Sequence, residues 1–351
     1  MPNNTTKRGI DPVILLSVIF VLIVLCLHHG SYTIDAIGTL RDYHVTKLMQ
    51  KFSVGGFLFL SGFKLAKSKL GVSWVQFIKS RFYRIYLLYL LAVITFSITV
   101  YPYSNNGTIP SLANFLKHVF CLQAILPNYF QKDYLTIWFV SILFFCYIFF
   151  LLARKFVVEV SLFCGLLFST FLSILIIRSL AYKYQTILLA DYLELWLVLF
   201  GIGMIYPDID RRVAKFSVKL LLLISIVCSV LLILFYNQSF NIEQASFLNQ
   251  LIDRSLILLS ILPLYAIAFQ VSPQIAIPLS ILNLLKNIYY ISFCCFLFHR
   301  PIWTIMANLW SEKSLYQFLY INLLGVPLIF FISYLIQKSY NQFVAFIAPK
   351  N

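Results

Sequence analysis

Long apolar runs separated by short polar segments fill the sequence from residue 12 to residue 337. A helix needs about 20 mostly apolar residues to cross the hydrocarbon core of a bilayer. Ten segments are predicted to be such helices: 12–29, 52–66, 83–101, 135–153, 156–177, 188–206, 216–236, 254–271, 287–308 and 315–337. Pro207 is predicted to lie just beyond the end of the sixth. The pattern indicates an all-α, polytopic membrane protein in which residues 1–351 form one membrane-embedded domain.

Basic residues cluster between the apolar runs and indicate the orientation of the chain. The connection between the second and third segments holds six of them: Lys64, Lys67, Lys69, Lys79, Arg81 and Arg84. Loops on the cytoplasmic side are enriched in Lys and Arg. Placing the N-terminus inside puts more than half of the 27 Lys and Arg residues on that side. We therefore expect both termini in the cytoplasm and a multi-pass protein of the inner or plasma membrane.

Composition supports the membrane class and narrows the choice of partners. Hydrophobic residues make up 61% of the chain, charged residues make up 11%, and the mean hydropathy is +0.88. A net charge of +15 would suit nucleic acid. Because the basic residues occur in short clusters between apolar runs, we expect a lipid bilayer and no nucleic acid as partner. The seven Cys form no CxxC pattern, so neither a metal site nor a disulfide framework is expected.

Three histidines occupy positions where an ionisable group is unfavourable. His28 and His29 close the first segment, and His299 lies within the ninth. Ionisable residues in membrane helices are functional candidates by default. Histidine accepts a proton near neutral pH, which acyl transfer to an alcohol requires. The pattern leaves open which of His28 and His29 would be catalytic, and the alternative is a hydrogen-bonded residue at the membrane interface.

Two acidic residues lie near the start of the sixth segment. Asp191 and Glu194 are three apart, so on a helix they would share one face. They could bind a substrate. The alternative is a structural ion pair with Arg178 or Lys183.

The basic connection contains two kinds of charge. Arg81 and Arg84 are also three apart, and the planar guanidinium group suits phosphates. We interpret them as a site for an anionic ligand. Lys64, Lys67 and Lys69 are interpreted as reporting orientation only.

Several stretches, taken in order, resemble one known family. They are Asp11 with His28-His29, residues 55–63 (GGFLFLSGF), residues 77–86 (FIKSRFYRIY), residues 134–147 with Trp138-Phe139 and Tyr147, and residues 291–301 with His299-Arg300-Pro301. Together with the ten-segment layout they resemble the acyltransferase-3 family of integral membrane O-acyltransferases. One departure is visible: residues 12–27 hold no Lys or Arg, where family members often carry an Arg. Its role falls to Arg8 or is absent.

The resemblance implies a reaction and a distribution of roles. An acyl group, acetyl above all, would move from cytoplasmic acyl-CoA to a hydroxyl of a cell-surface or lipid-linked polysaccharide. Acetyl-CoA would be a donor substrate, with no tightly bound cofactor. Arg81 and Arg84 would bind donor phosphates, and His28 or His29 would be the general base or a transient acyl carrier. The acceptor-binding candidates are Asp191, Glu194 and His299.

Two other functions remain open. A transporter or flippase for a glycan or lipid-linked sugar could use intramembrane His, Asp and Glu to relay protons or line a path. An inactive relative acting as a scaffold is the third hypothesis. Acyl transfer by membranes separates the first hypothesis from both.

Overall fold

A computed structural model describes residues 8–33, 43–67, 73–129, 131–153, 159–237 and 247–347. Its long helices are α1 (Pro12–His28), α2 (Tyr43–Ala66), α3 (Trp74–Ile98), α4 (Trp138–Ala153), α5 (Val160–Lys183), α6 (Leu193–Val213), α7 (Val218–Asn237), α8 (Phe247–Val271), α9 (Leu279–Leu309) and α10 (Leu315–Ile347). Each predicted segment overlaps one of them. Lys69, Arg154 and Lys155, which contribute to the basic clusters of the sequence, lie outside the described residues.

The architecture is that of an all-α, multi-pass membrane protein. Among the described residues, seven helices are long and apolar enough to cross a bilayer: α1, α3, α5, α7, α8, α9 and α10. Helix α4 is equally apolar but shorter. A two-residue antiparallel ladder joins Arg8–Gly9 to Ala276–Ile277, which ties the start of α1 to the connection between α8 and α9.

Several helix boundaries differ from the sequence prediction: α3, α8 and α9 begin at Trp74, Phe247 and Leu279 instead of residues 83, 254 and 287. Two further differences concern α2 and α6. Helix α2 begins at Tyr43 instead of residue 52, and its first turns are largely polar; Lys51, which follows them, is only 5% exposed. The prediction that Pro207 follows the sixth helix is wrong. Pro207 lies inside α6, which continues to Val213. Packed membrane helices tolerate proline because neighbouring groups satisfy the freed backbone.

Helices α2 and α6 cross at very close range, and two glycines make this possible. A Cβ on Gly62 would lie closer than 3.0 Å to the carbonyl oxygen of Phe200 on α6. A Cβ on Gly203 would approach the carbonyl oxygen of Phe59 on α2 equally closely. Small residues permit such backbone contact between membrane helices. The Gly62 of the family-like segment therefore has a packing role.

Replacing Gly203 by Ala should destabilise the protein by about 1–3 kcal/mol, the usual effect of overpacking a close contact. The added methyl group would meet backbone, which cannot rotate away. Thermal unfolding of the detergent-purified protein measures the effect. Gly165→Ala is the matched control, since nothing lies within 4 Å of its added Cβ. Equal melting temperatures for the two variants would contradict the close crossing.

The connection between α3 and α4 is organised around His118, which lies in the short helix Leu112–Val119. His118 is fully buried, donates from Nδ1 to the Asn114 carbonyl oxygen at 2.7 Å, and accepts at Nε2 from the Tyr134 N–H at 2.9 Å. Burial lowers the pKa of His118 from 6.5 to about 3, and Lys117 adds to this effect. Both ring nitrogens hold backbone groups, so His118 has a structural role.

Stability should fall as the pH drops from 6.5 towards 3. In this window the unfolded chain binds a proton at His118 and the folded protein does not, so the group lowers the free energy of unfolding by about 1.4 kcal/mol per pH unit. His118→Asn should be less stable but lack this slope. Burial raises the pKa of Asp133, so this residue makes the folded protein more stable as the pH falls. Its effect is present in both proteins. Parallel plots of melting temperature against pH for the two proteins would refute the assignment.

Candidate active site

Two of the predicted histidines lie in direct contact, although 271 residues separate them. His28 ends α1, and His299 lies on α9. The His28 Nδ1 and His299 Nε2 atoms are 2.9 Å apart, and the two rings are nearly parallel. His299 is fully buried, whereas His28 is partly exposed. We call these two residues the histidine pair.

Hydrogen bonding assigns the tautomers of the histidine pair. His299 Nδ1 lies 2.9 Å from the Cys295 carbonyl oxygen, which only accepts, so Nδ1 carries the hydrogen. Burial favours the uncharged ring. The Nε2 atom of neutral His299 therefore accepts, and His28 must donate from its Nδ1. In a neutral His28 ring this places the lone pair on Nε2.

A buried cation follows His299 on α9. Arg300 is 7% exposed, and its guanidinium group lies 3.5 Å from the Tyr32 hydroxyl and 5.9 Å from the centre of that ring. Within the described part of the chain it makes no ion pair, and its Nε has no hydrogen-bond partner. Tyr32 belongs to the turn after α1. The contact between Arg300 and Tyr32 thus brings a positive charge to the end of α1 that carries His28.

His29 is placed differently from its neighbour. Its Nδ1 donates to the Cys26 carbonyl oxygen at 2.6 Å, and its ring packs edge-on against Phe318 of α10. The side chain is 4% exposed. His28 contacts His299, and His29 is directed towards α10.

A second cluster lies at the end of the bundle that carries the basic connection, here called the basic end. It unites residues from three of the family-like stretches. The Arg81 guanidinium group lies over the rings of Phe77 and Tyr147, at 5.0 and 5.2 Å, and the Tyr147 hydroxyl interacts with Ser61. The Arg81 Nε is buried without a hydrogen-bond partner in the described structure. Arg84 is exposed and lies in the π turn Phe82–Tyr86, so the two arginines have different surroundings.

A series of contacts through aromatic residues links the Arg81 cluster to the histidine pair. Phe57, whose carbonyl oxygen accepts from the Ser61 hydroxyl, packs against Phe296 at 6.1 Å between ring centres. Phe139 packs against the same ring at 5.0 Å. Phe296 in turn lies 6.4 Å from the His299 ring. The aromatic layer of α2, α4 and α9 therefore connects the two clusters.

The basic end also has a cavity of about 580 Å³. Lys64 and Lys67 line it, together with Asp11 and Asp210. The Asp11 carboxylate caps α1 by accepting from the Val13 N–H at 2.7 Å. The two lysines thus border a concave site.

An ion-pair network occupies the opposite end of the bundle, here called the loop end. Glu194 is fully buried, and Arg178 contacts both of its carboxylate oxygens. The Arg254 Nε donates to Glu194 Oε1 at 2.9 Å, and Arg254 also pairs with Asp253. Asp191 lies just before α6, is 58% exposed, and contacts Arg254 at 3.2 Å.

The network assigns different roles to the two predicted acidic residues. The alternative of an ion pair with Arg178 is confirmed for both: guanidinium groups engage both oxygens of Glu194, and Asp191 lies 3.5 Å from Arg178. No ion pair joins Glu194 to Lys183 among the described residues. Asp191 lines a loop-end cavity of about 1050 Å³. Of the two carboxylates, Asp191 is the one that a ligand could reach.

Sequence reasoning gave no role to three residues of these clusters. Arg254 opens the predicted eighth segment, and Lys51, which lines the loop-end cavity, directly precedes the second. Lys and Arg at the border of an apolar run usually report orientation, so the sequence carries no signal for a role of these two. Arg300 occurs in a family-like stretch, but the sequence does not reveal its burial.

Comparison with family models identifies the chain. The acyltransferase-3 model, described as an acyltransferase domain, matches residues 13–338, which is nearly the whole length and includes both histidine-bearing helices. A search of curated proteins and a search of solved structures each found no match. The chain belongs to the acyltransferase-3 family and is a multi-pass membrane acyltransferase.

Proposed function

We propose that the protein transfers an acyl group, acetyl in the simplest case, from acyl-CoA at the basic end to a hydroxyl of a cell-surface or lipid-linked polysaccharide. The observation that carries this proposal is the histidine pair, which holds His28 with its lone pair on Nε2. The basic end faces the cytoplasm, where acyl-CoA is found, in agreement with the distribution of Lys and Arg.

The histidine pair supports a direct transfer. His28 Nε2 takes the proton of the acceptor hydroxyl as its oxygen attacks the thioester carbonyl carbon. The carbon–sulfur bond then breaks, the acyl group stays on the acceptor oxygen, and the proton passes from His28 to the departing CoA thiolate. His299 keeps the His28 ring in the required tautomer. The buried guanidinium group of Arg300 stabilises the negative charge that develops on the carbonyl oxygen.

Arg81 and Arg84 bind the phosphates of the donor. The guanidinium group of Arg81 lies over two aromatic rings. This arrangement leaves its terminal N–H groups available for two parallel hydrogen bonds to a phosphate. The pantetheine arm then follows the aromatic layer from the Arg81 cluster to His28. Lys64 and Lys67, on the rim of the basic-end cavity, add positive charge along this approach.

Radiolabelled acetyl-CoA tests the proposal. Membranes containing the protein should move the label into the polysaccharide fraction, and membranes with Arg81→Ala and Arg84→Ala should require a higher concentration of acetyl-CoA for the same rate. Exposed Lys79→Ala, from the same segment, is the matched control. A transporter or a scaffold would leave the polysaccharide unlabelled.

A further inference from the structure

The loop-end cavity has the size and lining of a binding site. Its volume of about 1050 Å³ is at the upper end of the range for small-molecule pockets. Rings of Trp138, Tyr192 and Trp196 form part of its wall. Flat aromatic faces next to charged and hydrogen-bonding groups are suited to sugars, whose rings have an apolar face and a polar edge. A glycan of more than one sugar unit fits such a space.

One lining residue is a buried cation without a direct acidic partner. Lys51 is 5% exposed, and its ammonium nitrogen lies 4.1 Å from the centre of the Tyr192 ring. Within the described residues it makes no ion pair with a carboxylate. The nearby acids Asp191 and Asp253 are both in contact with Arg254. A buried lysine is normally paired or hydrogen-bonded.

The remaining wall offers charged groups and both hydrogen-bond donors and acceptors. Four cationic side chains line the cavity: Lys47, Lys51, Arg178 and Arg254. The lining carboxylates are Asp133, which Lys117 already binds at 2.6 Å, and Asp191. The Trp196 Nε1 and Ser179 hydroxyl are buried donors with no partner in the described structure. Glu194, Asp191 and Asp253 neutralise Arg178 and Arg254, and the lining Gln123 Oε1 is a buried acceptor without a partner in the described structure. The feature of the wall that favours an anion is therefore the Lys51 ammonium group.

We propose that this cavity binds the anionic group of a glycan, a carboxylate or a phosphate, with the Lys51 ammonium group as its counter-ion. The inference rests on the proposed function, because it makes the acceptor an acidic polysaccharide. Tyr192 positions the ammonium group, and the neighbouring Trp rings hold the sugar. Lys51 binds and orients the acceptor and takes no part in the proton transfer at His28.

Binding of three probes to the purified protein tests the proposal. The probes are trigalacturonic acid, which carries carboxylates, glucose-1-phosphate, and the neutral maltotriose. Fluorescence of the cavity tryptophans or calorimetry reports binding. Lys51→Met should weaken binding of an acidic probe about 10- to 100-fold, the effect of losing one hydrogen bond to a charged group. Lys51→Arg should largely retain it. Lys183→Met, at an exposed lysine outside the cavity lining, should bind like the wild type.

The probes separate the two sources of negative charge, since preference for the uronic acid indicates a carboxylate and preference for the sugar phosphate indicates a phosphate. Should Lys51→Met not fold, Lys51→Gln takes its place. Acidic probes that fail to bind the wild type, or that bind Lys51→Met and Lys51→Gln as tightly as the wild type, overturn the proposal. Binding of acetyl-CoA to the same preparations reports the proposed donor site separately, because it depends on Arg81 and Arg84 and needs no acceptor.

Discussion

Replacement of His28 by Gln is expected to lower the rate of acyl transfer by about 10²–10⁴-fold, the usual contribution of a general base. The structure gives the reason: His28 donates from Nδ1 to His299 Nε2, so its own Nε2 holds the lone pair that receives the proton. Glutamine preserves much of the volume but cannot accept a proton. The measurement is the initial rate of acetylation of the polysaccharide at saturating acetyl-CoA.

His29→Gln is the matched control for this prediction. His29 donates to the Cys26 carbonyl oxygen and packs against Phe318, so its replacement should change the rate far less. His299→Gln should slow the reaction and shift its pH profile, since it alters the tautomer and basicity of His28 without removing the base. A His29→Gln variant that loses activity while His28→Gln retains it would reverse the assignment of the catalytic residue.

Replacement of Glu194 by Ala is expected to destabilise the protein by about 3–5 kcal/mol, the effect of breaking a buried ion pair. Glu194 is fully buried, and its carboxylate neutralises both Arg178 and Arg254. Its removal leaves two guanidinium groups without their shared partner. We expect little folded protein after detergent extraction, and a much lower melting temperature for any that remains.

Asp191→Asn provides the comparison for Glu194. Asp191 is 58% exposed and contacts the same two arginines, so solvent compensates for much of its charge. Its loss should lower stability by less than about 1 kcal/mol. If Asp191→Asn were as damaging as Glu194→Ala, the network would depend on the cavity-facing carboxylate as much as on the buried one.

The helical architecture was predictable because a bilayer imposes one strong rule on the sequence. Each apolar segment of sufficient length became a helix. The errors occurred where tertiary packing overrides composition. Helix α2 includes the polar turns before Lys51, which is itself buried, and α6 continues through Pro207. Hydropathy along the chain contains no information about such burial.

The candidate site was predictable residue by residue but not as an arrangement. His28 and His299 were each identified by their position in an apolar run, yet their contact joins residues from opposite ends of the sequence. The spacing of Arg81 and Arg84 predicted a shared helix face, whereas the π turn gives them different surroundings. Lys51 and Arg254 were missed because both border a predicted segment. Their place in the wall of the loop-end cavity follows only from the folded structure.

The most direct test of catalysis across the bilayer uses proteoliposomes that enclose the polysaccharide of the producing cell. Radiolabelled acetyl-CoA is added outside, where it reaches every protein molecule whose basic end faces outwards. We predict that the enclosed polysaccharide becomes labelled with the wild-type protein and stays unlabelled with His28→Gln. Equal labelling by the two proteins, or passage of unmodified polysaccharide across the membrane without acetyl-CoA, would contradict acyl transfer at the histidine pair.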